Sequence, residues 1–126
     1  MILALTSCQN YTEYGNEYIE FSNFRLLDVG ENRKLFSEYG PEPFVIKGII
    51  RPDADQIRSG AIQSCDGNTK WLLRYLIRDS DMINGFTAGD CKLIQVKRLE
   101  QNYRVGDFNV IGIVEVLKIT DLESDL

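Results

Sequence analysis

The sequence predicts an all-β fold: five or six short strands in one small barrel or sandwich, with room for a single short helix. Short runs rich in Val, Ile, Tyr and Phe recur along the chain, and each is closed by Gly, Pro, Asp or Asn. That is the pattern of strands joined by turns. The chain has 126 residues, enough for one core and too few for two. Its 44% hydrophobic and 26% charged content is that of a globular protein rather than a disordered one.

Residues 1–17 are polar and aromatic, with Tyr11, Tyr14 and Gly15, and read as an N-terminal arm. Residues 18–29 are the first strand candidate, because Ile19, Phe21, Leu27 and Val29 share one parity. Gly30-Glu31-Asn32 reads as a turn. Residues 33–40 read as one helical turn, stopped by Gly40-Pro41-Glu42-Pro43. Residues 44–51 form a strand with Phe44, Ile46 and Ile50 on one side. Gly48 inside it marks a bulge, a sharp coil or a close backbone approach. Residues 53–60 read as a polar connection and 61–65 as a short strand, turned by Asp66-Gly67-Asn68 into the next segment.

Residues 70–79 fit either a strand or a helix. Turn residues on both sides and the short length favour the strand. It places Trp71, Leu73, Tyr75 and Ile77 on one face and Leu72, Arg74, Leu76 and Arg78 on the other. Residues 79–90 are a loop or a second hairpin, 91–100 a strand, and 101–107 a turn centred on Gly106. Residues 108–119 are the most β-prone run in the chain, rich in Val and Ile. The barrel domain then spans 18–122, and 123–126 is an acidic tail.

From residue 44 onward the order is more particular. Val45-Ile46-Lys47-Gly48-Ile49-Ile50 comes first, then an extended strand from Trp71 ending in Asp79. A third strand leads to Val105-Gly106-Asp107, followed by Val110-Ile111-Gly112-Ile113-Val114. This resembles the OB-fold, in which glycine-containing strands coil sharply to close a five-stranded barrel. The resemblance covers residues 44–119, with two departures. No turn residue follows Glu115, so either one long strand bends through two roles or residues 18–29 supply the fifth strand. The helix between the third and fourth strands is missing, as it can be in small accessory OB subunits of single-strand-DNA, telomere and genome-maintenance complexes. The resemblance implies a non-enzymatic adaptor, nuclear or cytoplasmic, that docks a partner protein (another OB-fold subunit) and binds single-stranded nucleic acid weakly.

Single-strand binding needs cations for phosphates and aromatic faces for bases. Residues 70–104 hold both, and Lys70, Trp71, Arg74, Tyr75, Arg78, Lys92, Lys97, Arg98, Tyr103 and Arg104 are the candidate nucleic-acid-binding residues. This stretch carries net +3, against −4 over residues 1–69 and −4 over 105–126, within a chain of net charge −5. The overall acidity argues against coating nucleic acid by bulk electrostatics. Histidine is absent, which excludes Ser-His-Asp and Cys-His catalysis by this chain alone. There is no phosphate loop and no GxGxxG. Three cysteines without histidine make a poor zinc site. Asp53/Asp55 and Asp79/Asp81 lack the glycine and terminal glutamate of an EF-hand and read as solvated loop carboxylates. The expectation is a protein that is not an enzyme, with no metal and no cofactor.

A second reading starts at the N-terminus. Leu5-Thr6-Ser7-Cys8 resembles a bacterial lipobox, although only residues 1–5 precede it as an apolar run and none is basic, as in a truncated signal. On this reading the chain is an exported envelope lipoprotein, anchored through Cys8, whose barrel binds a protein or a glycan. The two readings part on the cysteines. Cys8, Cys65 and Cys91 are free thiols in a reducing compartment, whereas a Cys65–Cys91 bridge requires export. No apolar run approaches the ~20 residues of a membrane span.

Overall fold

Ile46 and Ile50 of one strand, four residues apart with Gly48 between them, and Leu73 and Tyr75 of a second and Ile94 and Val96 of a third, each two apart, are all buried. This two-residue period is that of strands with one face turned into a core. The computed structural model describes residues 18–24, 28–54, 56–79, 89–99, 103 and 106–122. The expected N-terminal arm with its lipobox-like segment, most of the 79–90 loop, Arg104, Asp55, Asp81 and the acidic tail lie outside the described residues.

The strands are β1 (Ile19–Glu20), β2 (Phe44–Asp53), β3 (Gln56–Gln63), β4 (Leu72–Leu76), β5 (Cys91–Arg98) and β6 (Val110–Asp121). They lie in the order β1-β2-β3-β4-β6-β5, and β2 also pairs with β5. Strands β2 to β6 therefore form a closed five-stranded barrel, with β1 added beside β2. Pairing is antiparallel except for β1–β2 and β4–β6. This small all-β barrel is compatible with an OB-like fold.

Closure rests on β2. Its residues 44–49 pair with β5 and its residues 49–53 with β3. Gly48 sits at the change of partner. A Cβ there would stand 2.7 Å from Ile62 Cγ2 and 2.9 Å from the Gln63 carbonyl, so the close approach expected of this glycine is real.

Three sequence expectations are corrected. The described residues of 18–29 do not form one strand. Among them Ile19–Glu20 is the strand, a 3₁₀ turn follows at Phe21–Phe24, and helix α1 runs over Val29–Phe36. The helix starts where a turn was expected because Asp28 and Glu31 make a capping box. The Asp28 carboxylate accepts the Glu31 N–H at 2.8 Å, and the Glu31 carboxylate accepts the Asp28 N–H at 3.3 Å. Residues 53–60 are not a connection, since β3 begins at Gln56. With β3 recovered, β6 is the closing fifth strand of the barrel. Residues 18–29 are not needed for that role, and no strand serves twice.

Helix α1 packs against β6 and sends Phe36 into the core. Phe36 is fully buried, with ring centroids 6.4 Å from Phe24, 5.8 Å from Tyr39 and 5.8 Å from Phe44. Asn32, also buried, donates from Nδ2 to the Phe24 carbonyl at 2.8 Å and ties the helix to the 3₁₀ turn. Among the described residues no helix is long and apolar enough to cross a membrane.

Among the described residues Tyr75 is the largest fully buried side chain, and its hydroxyl donates to the Ile57 carbonyl at 2.8 Å. Burial, with Asp53 nearby, pushes its pKa from the ordinary value near 10 up to about 12. In the unfolded chain the phenol ionises near pH 10, so its contribution is fully present below that value and is lost as pH rises toward 12. The expected result is a loss of about 2–3 kcal/mol across that window. Urea unfolding followed by circular dichroism at stepped pH measures it. Tyr75→Phe should remove that residue's share of the slope, and a slope unchanged in the variant would refute the assignment.

Candidate functional site

Alternation along β4 sends Leu73 and Tyr75 into the core and leaves Leu72, Arg74 and Leu76 on the outer face. Residue Ile113 of β6 lies beside Arg74. The segment before β6 rises next to them, and together they bound an open groove of about 630 Å³ lined by Leu72, Arg74, Tyr75, Leu76, Gly106, Asp107, Asn109, Val110 and Ile113. Its lining is a mixture of aliphatic carbons and a few polar groups, the composition of small-molecule and glycan sites as well as of protein interfaces.

The segment before β6 is fixed from α1. Arg33 donates from Nε to the Val110 carbonyl at 2.9 Å and from Nη2 to the Asp107 carbonyl at 2.6 Å. Its guanidinium lies 3.7 Å from the centre of the Tyr103 ring, close enough for a cation–π contact. Tyr103 in turn donates its hydroxyl to the Ile111 carbonyl at 3.0 Å. Burial raises the Tyr103 pKa, and the cations of Arg33 and Arg98 oppose that rise. Asn109 donates from Nδ2 to the Thr69 carbonyl at 2.9 Å, which joins this segment to the residues leading into β4.

Arg33→Ala is therefore expected to cost about 1.5–3 kcal/mol, the scale of charge-assisted hydrogen bonds whose acceptors are left unpaired. Hydrogen exchange should quicken at residues 107–111 more than in β2. Exchange that quickens evenly over the barrel would show that Arg33 does not act locally.

Of the ten candidate nucleic-acid-binding residues nine are described, and Tyr75 among them is buried in the core rather than on a surface with the cations. Arg74 makes a two-pronged ion pair with Asp53, one prong being Nη1 to Oδ1 at 3.1 Å. That hydrogen bond holds the Asp53 carboxyl below the usual range. Both side chains are more than a third exposed, so the pair contributes only ~0–1 kcal/mol. Arg78 lies 3.8 Å from Glu115, and Lys92 pairs with Asp121. Arg98 donates to the Tyr39 carbonyl at 2.6 Å.

Tyr75 belongs to the core, and Trp71 packs against it part-buried, with Lys70 Nζ 5.4 Å from its ring centre. Tyr103 lies under Arg33. Lys70 and Lys97 are exposed, and Arg104 lies outside the described residues.

Cys65 and Cys91 form a disulfide with Cα atoms 5.3 Å apart. It joins the turn after β3 to the first residue of β5, so of the two alternatives the sequence left open at these positions, free thiols or a bridge, the structure has the bridge. Among the described residues no group of three metal-ligating side chains converges. Searches among protein-family models, curated proteins and solved structures find no match to this chain.

Sequence reasoning missed Arg33, Asp107, Phe108 and Asn109. Phe108 is 77% exposed. A phenylalanine inside a β-prone run reads as core. The signal that could have moved it outward was its position directly after Gly106-Asp107, at the end of a turn.

Proposed function

We propose that the chain is an exported, non-enzymatic binding domain that presents the groove beside β4 to a protein or a glycan. The observation that carries this reading is the Cys65–Cys91 disulfide. Bridges of this kind persist in oxidising compartments and are rare where glutathione and thioredoxin keep thiols reduced. The lipobox-like Leu5-Thr6-Ser7-Cys8 adds to it, because acylation of Cys8 accounts for the one cysteine that has no partner in the bridge. The groove supplies the binding half of the reading, since its mixed lining suits recognition.

An intracellular single-strand adaptor draws less support. Arg74, Arg78 and Lys92 face carboxylates, and Arg98 is bonded to a backbone carbonyl. A cation so placed has less to offer a phosphate. The test is to alkylate intact source cells under non-reducing conditions and map the cysteines by mass spectrometry. Cys65 and Cys91 are expected unlabelled and joined, with Cys8 acylated in the membrane fraction. Recovery of both as alkylated thiols would sink the export reading. A low-salt titration with oligothymidylate then measures what the adaptor reading has left.

A further inference from the structure

We propose that Cys65 is the thiol-exchange site of this chain, the sulfur at which an incoming thiol opens the Cys65–Cys91 bridge in the folded protein and through which the bridge is made. This rests on the bridge that also carries the export reading, and adds how that bridge is reached. Both cysteines are partly buried, so exposure alone does not choose between them. Two features of the structure do.

The first is a cavity. A hollow of about 220 Å³ is bounded by Glu20, Phe21, Lys47, Ser64, Cys65 and Asp66, and Cys91 is not among its walls. A thiolate attacks one sulfur of a disulfide and expels the other, and it approaches in line with the S–S bond, from the end away from the sulfur that leaves. A hollow walled by Cys65 and not by Cys91 gives a thiol room at the Cys65 end of that bond. Its volume is below that of drug-sized sites and suits a single thiol-bearing group.

The second is what holds each cysteine. Cys91 opens β5 and is in register with Ile49 of β2, so its backbone belongs to the barrel wall. Cys65 lies in the turn after β3, which is closed by bonds of its own: the Gly67 N–H donates to the Ser64 carbonyl at 2.9 Å and the Asn68 N–H to the Asp66 carboxylate at 2.8 Å. As the bond breaks, the attacked sulfur can part from its partner by a shift of the turn. The sulfur that leaves can stay where the sheet holds it.

The step balances with a thiol as co-reactant. The thiolate forms a bond to Cys65 Sγ, the S–S bond breaks, and its electron pair goes to Cys91 Sγ, which takes a proton from water. A second thiolate then attacks the sulfur of the bound thiol and releases Cys65 as a thiol. Two thiols are oxidised to one disulfide, and the bridge is reduced to two thiols. Formation of the bridge is the reverse: the Cys65 thiolate takes a sulfur from a disulfide donor, and Cys91 displaces the donor.

The experiment treats the folded, oxidised chain with cysteamine, quenches with acid, blocks free thiols with N-ethylmaleimide and maps both cysteines by mass spectrometry. Cysteamine suits the lining, in which Lys47 stands against Glu20 and Asp66, because its own cation is not repelled by the two carboxylates. The mixed disulfide is expected at Cys65 about tenfold over Cys91, and this preference should shrink in guanidinium, where the cavity is gone. The rate should rise in proportion to cysteamine and exceed the rate of global unfolding. An adduct mainly at Cys91, an even split, the same split in the unfolded chain, or a rate capped at the unfolding rate would overturn the proposal.

A thioredoxin-like protein whose resolving cysteine is replaced by serine separates the sources of the thiol. Its trapping at Cys65 admits a protein partner, while an adduct with cysteamine alone assigns the site to small thiols. Its trapping at Cys91 counts against Cys65 as the cysteamine result would. The cysteine mapping in source cells is independent of these outcomes. An adduct at Cys91 with the bridge intact in cells removes the exchange site and leaves the export reading, and open thiols in cells with a Cys65 adduct on the oxidised chain does the reverse.

Discussion

Phe36→Ala is expected to destabilise the barrel by about 3–5 kcal/mol, the cost of emptying a large aromatic site in a core that relaxes only in part. Domains of this size are stable by about 5–15 kcal/mol, so the variant stands near the edge of folding. The reason lies in two positions far apart in the chain. Phe36 ends α1, is fully buried and meets three other rings. Opposite it, β6 carries Gly112, and a Cβ on that residue would stand only 2.2 Å from Phe36 Cδ2 and 2.3 Å from Phe36 Cε2.

Gly112→Ala alone is therefore expected to cost about 1–3 kcal/mol through overpacking. In the double variant the new methyl enters the space the ring has left, so the double should cost less than the sum of the singles by about 1 kcal/mol or more. Urea denaturation of the three variants measures this, with the slopes checked for two-state behaviour. Strict additivity would mean that the helix is not seated on β6 as described.

The same pair shows what was legible in the sequence. Strands whose inner positions are filled by β-branched residues announced themselves: β2, β5 and β6 each show Ile or Val at alternate positions. Parity along 70–79 is enough to separate Tyr75 from Arg74. Of β3 only the end was legible, as the short strand expected at 61–65; its first half stayed hidden because one of its inward positions is a glycine. A Cβ on Gly60 would stand 2.8 Å from the Tyr75 ring and 2.7 Å from Pro52 Cα, so the volume that a strand residue usually fills is supplied by β4 instead. With Arg58, Ser59 and Gly60 in a row, no alternation of one strand alone could reveal it.

The error then propagated, since a barrel order that left the short strand at 61–65 out needed either a second role for the last strand or a strand from residues 18–29. The Asp28 and Glu31 spacing was present as a capping signal, but the parity of Leu27 and Val29 competed with it. At the groove, Arg33 was illegible for a different reason. Its acceptors are the Asp107 and Val110 carbonyls, more than 70 residues away, and backbone acceptors leave no mark in side-chain chemistry.

Reducing the Cys65–Cys91 bridge is expected to cost about 3–4 kcal/mol, because the two residues are 26 apart and closing a loop of that length restricts the unfolded chain by that amount. For a domain of this size the melting temperature should fall by roughly 10–20 °C. The cost is tied to a particular seam. Ile49 of β2 pairs with Gln63 on one side and with Cys91 on the other, and the bridge runs from just beyond Gln63 to Cys91. It therefore staples the place where β2 changes partners and the barrel closes.

Reduction should quicken hydrogen exchange first at residues 49 and 91–93 and last at 112–116, where β6 is held by α1. Cys65→Ser, Cys91→Ser and the double variant should lose the same stability, since the bridge goes with either sulfur. Thermal melts with and without dithiothreitol decide it. An unmoved melting temperature, with mass spectrometry showing both thiols open, would mean that the seam does not need its staple. If the loss is as large as expected, the chain stands several kcal/mol closer to unfolding wherever thiols are kept reduced. Its binding face would then be durable mainly in an oxidising compartment, and the compartment would decide whether the groove exists at all.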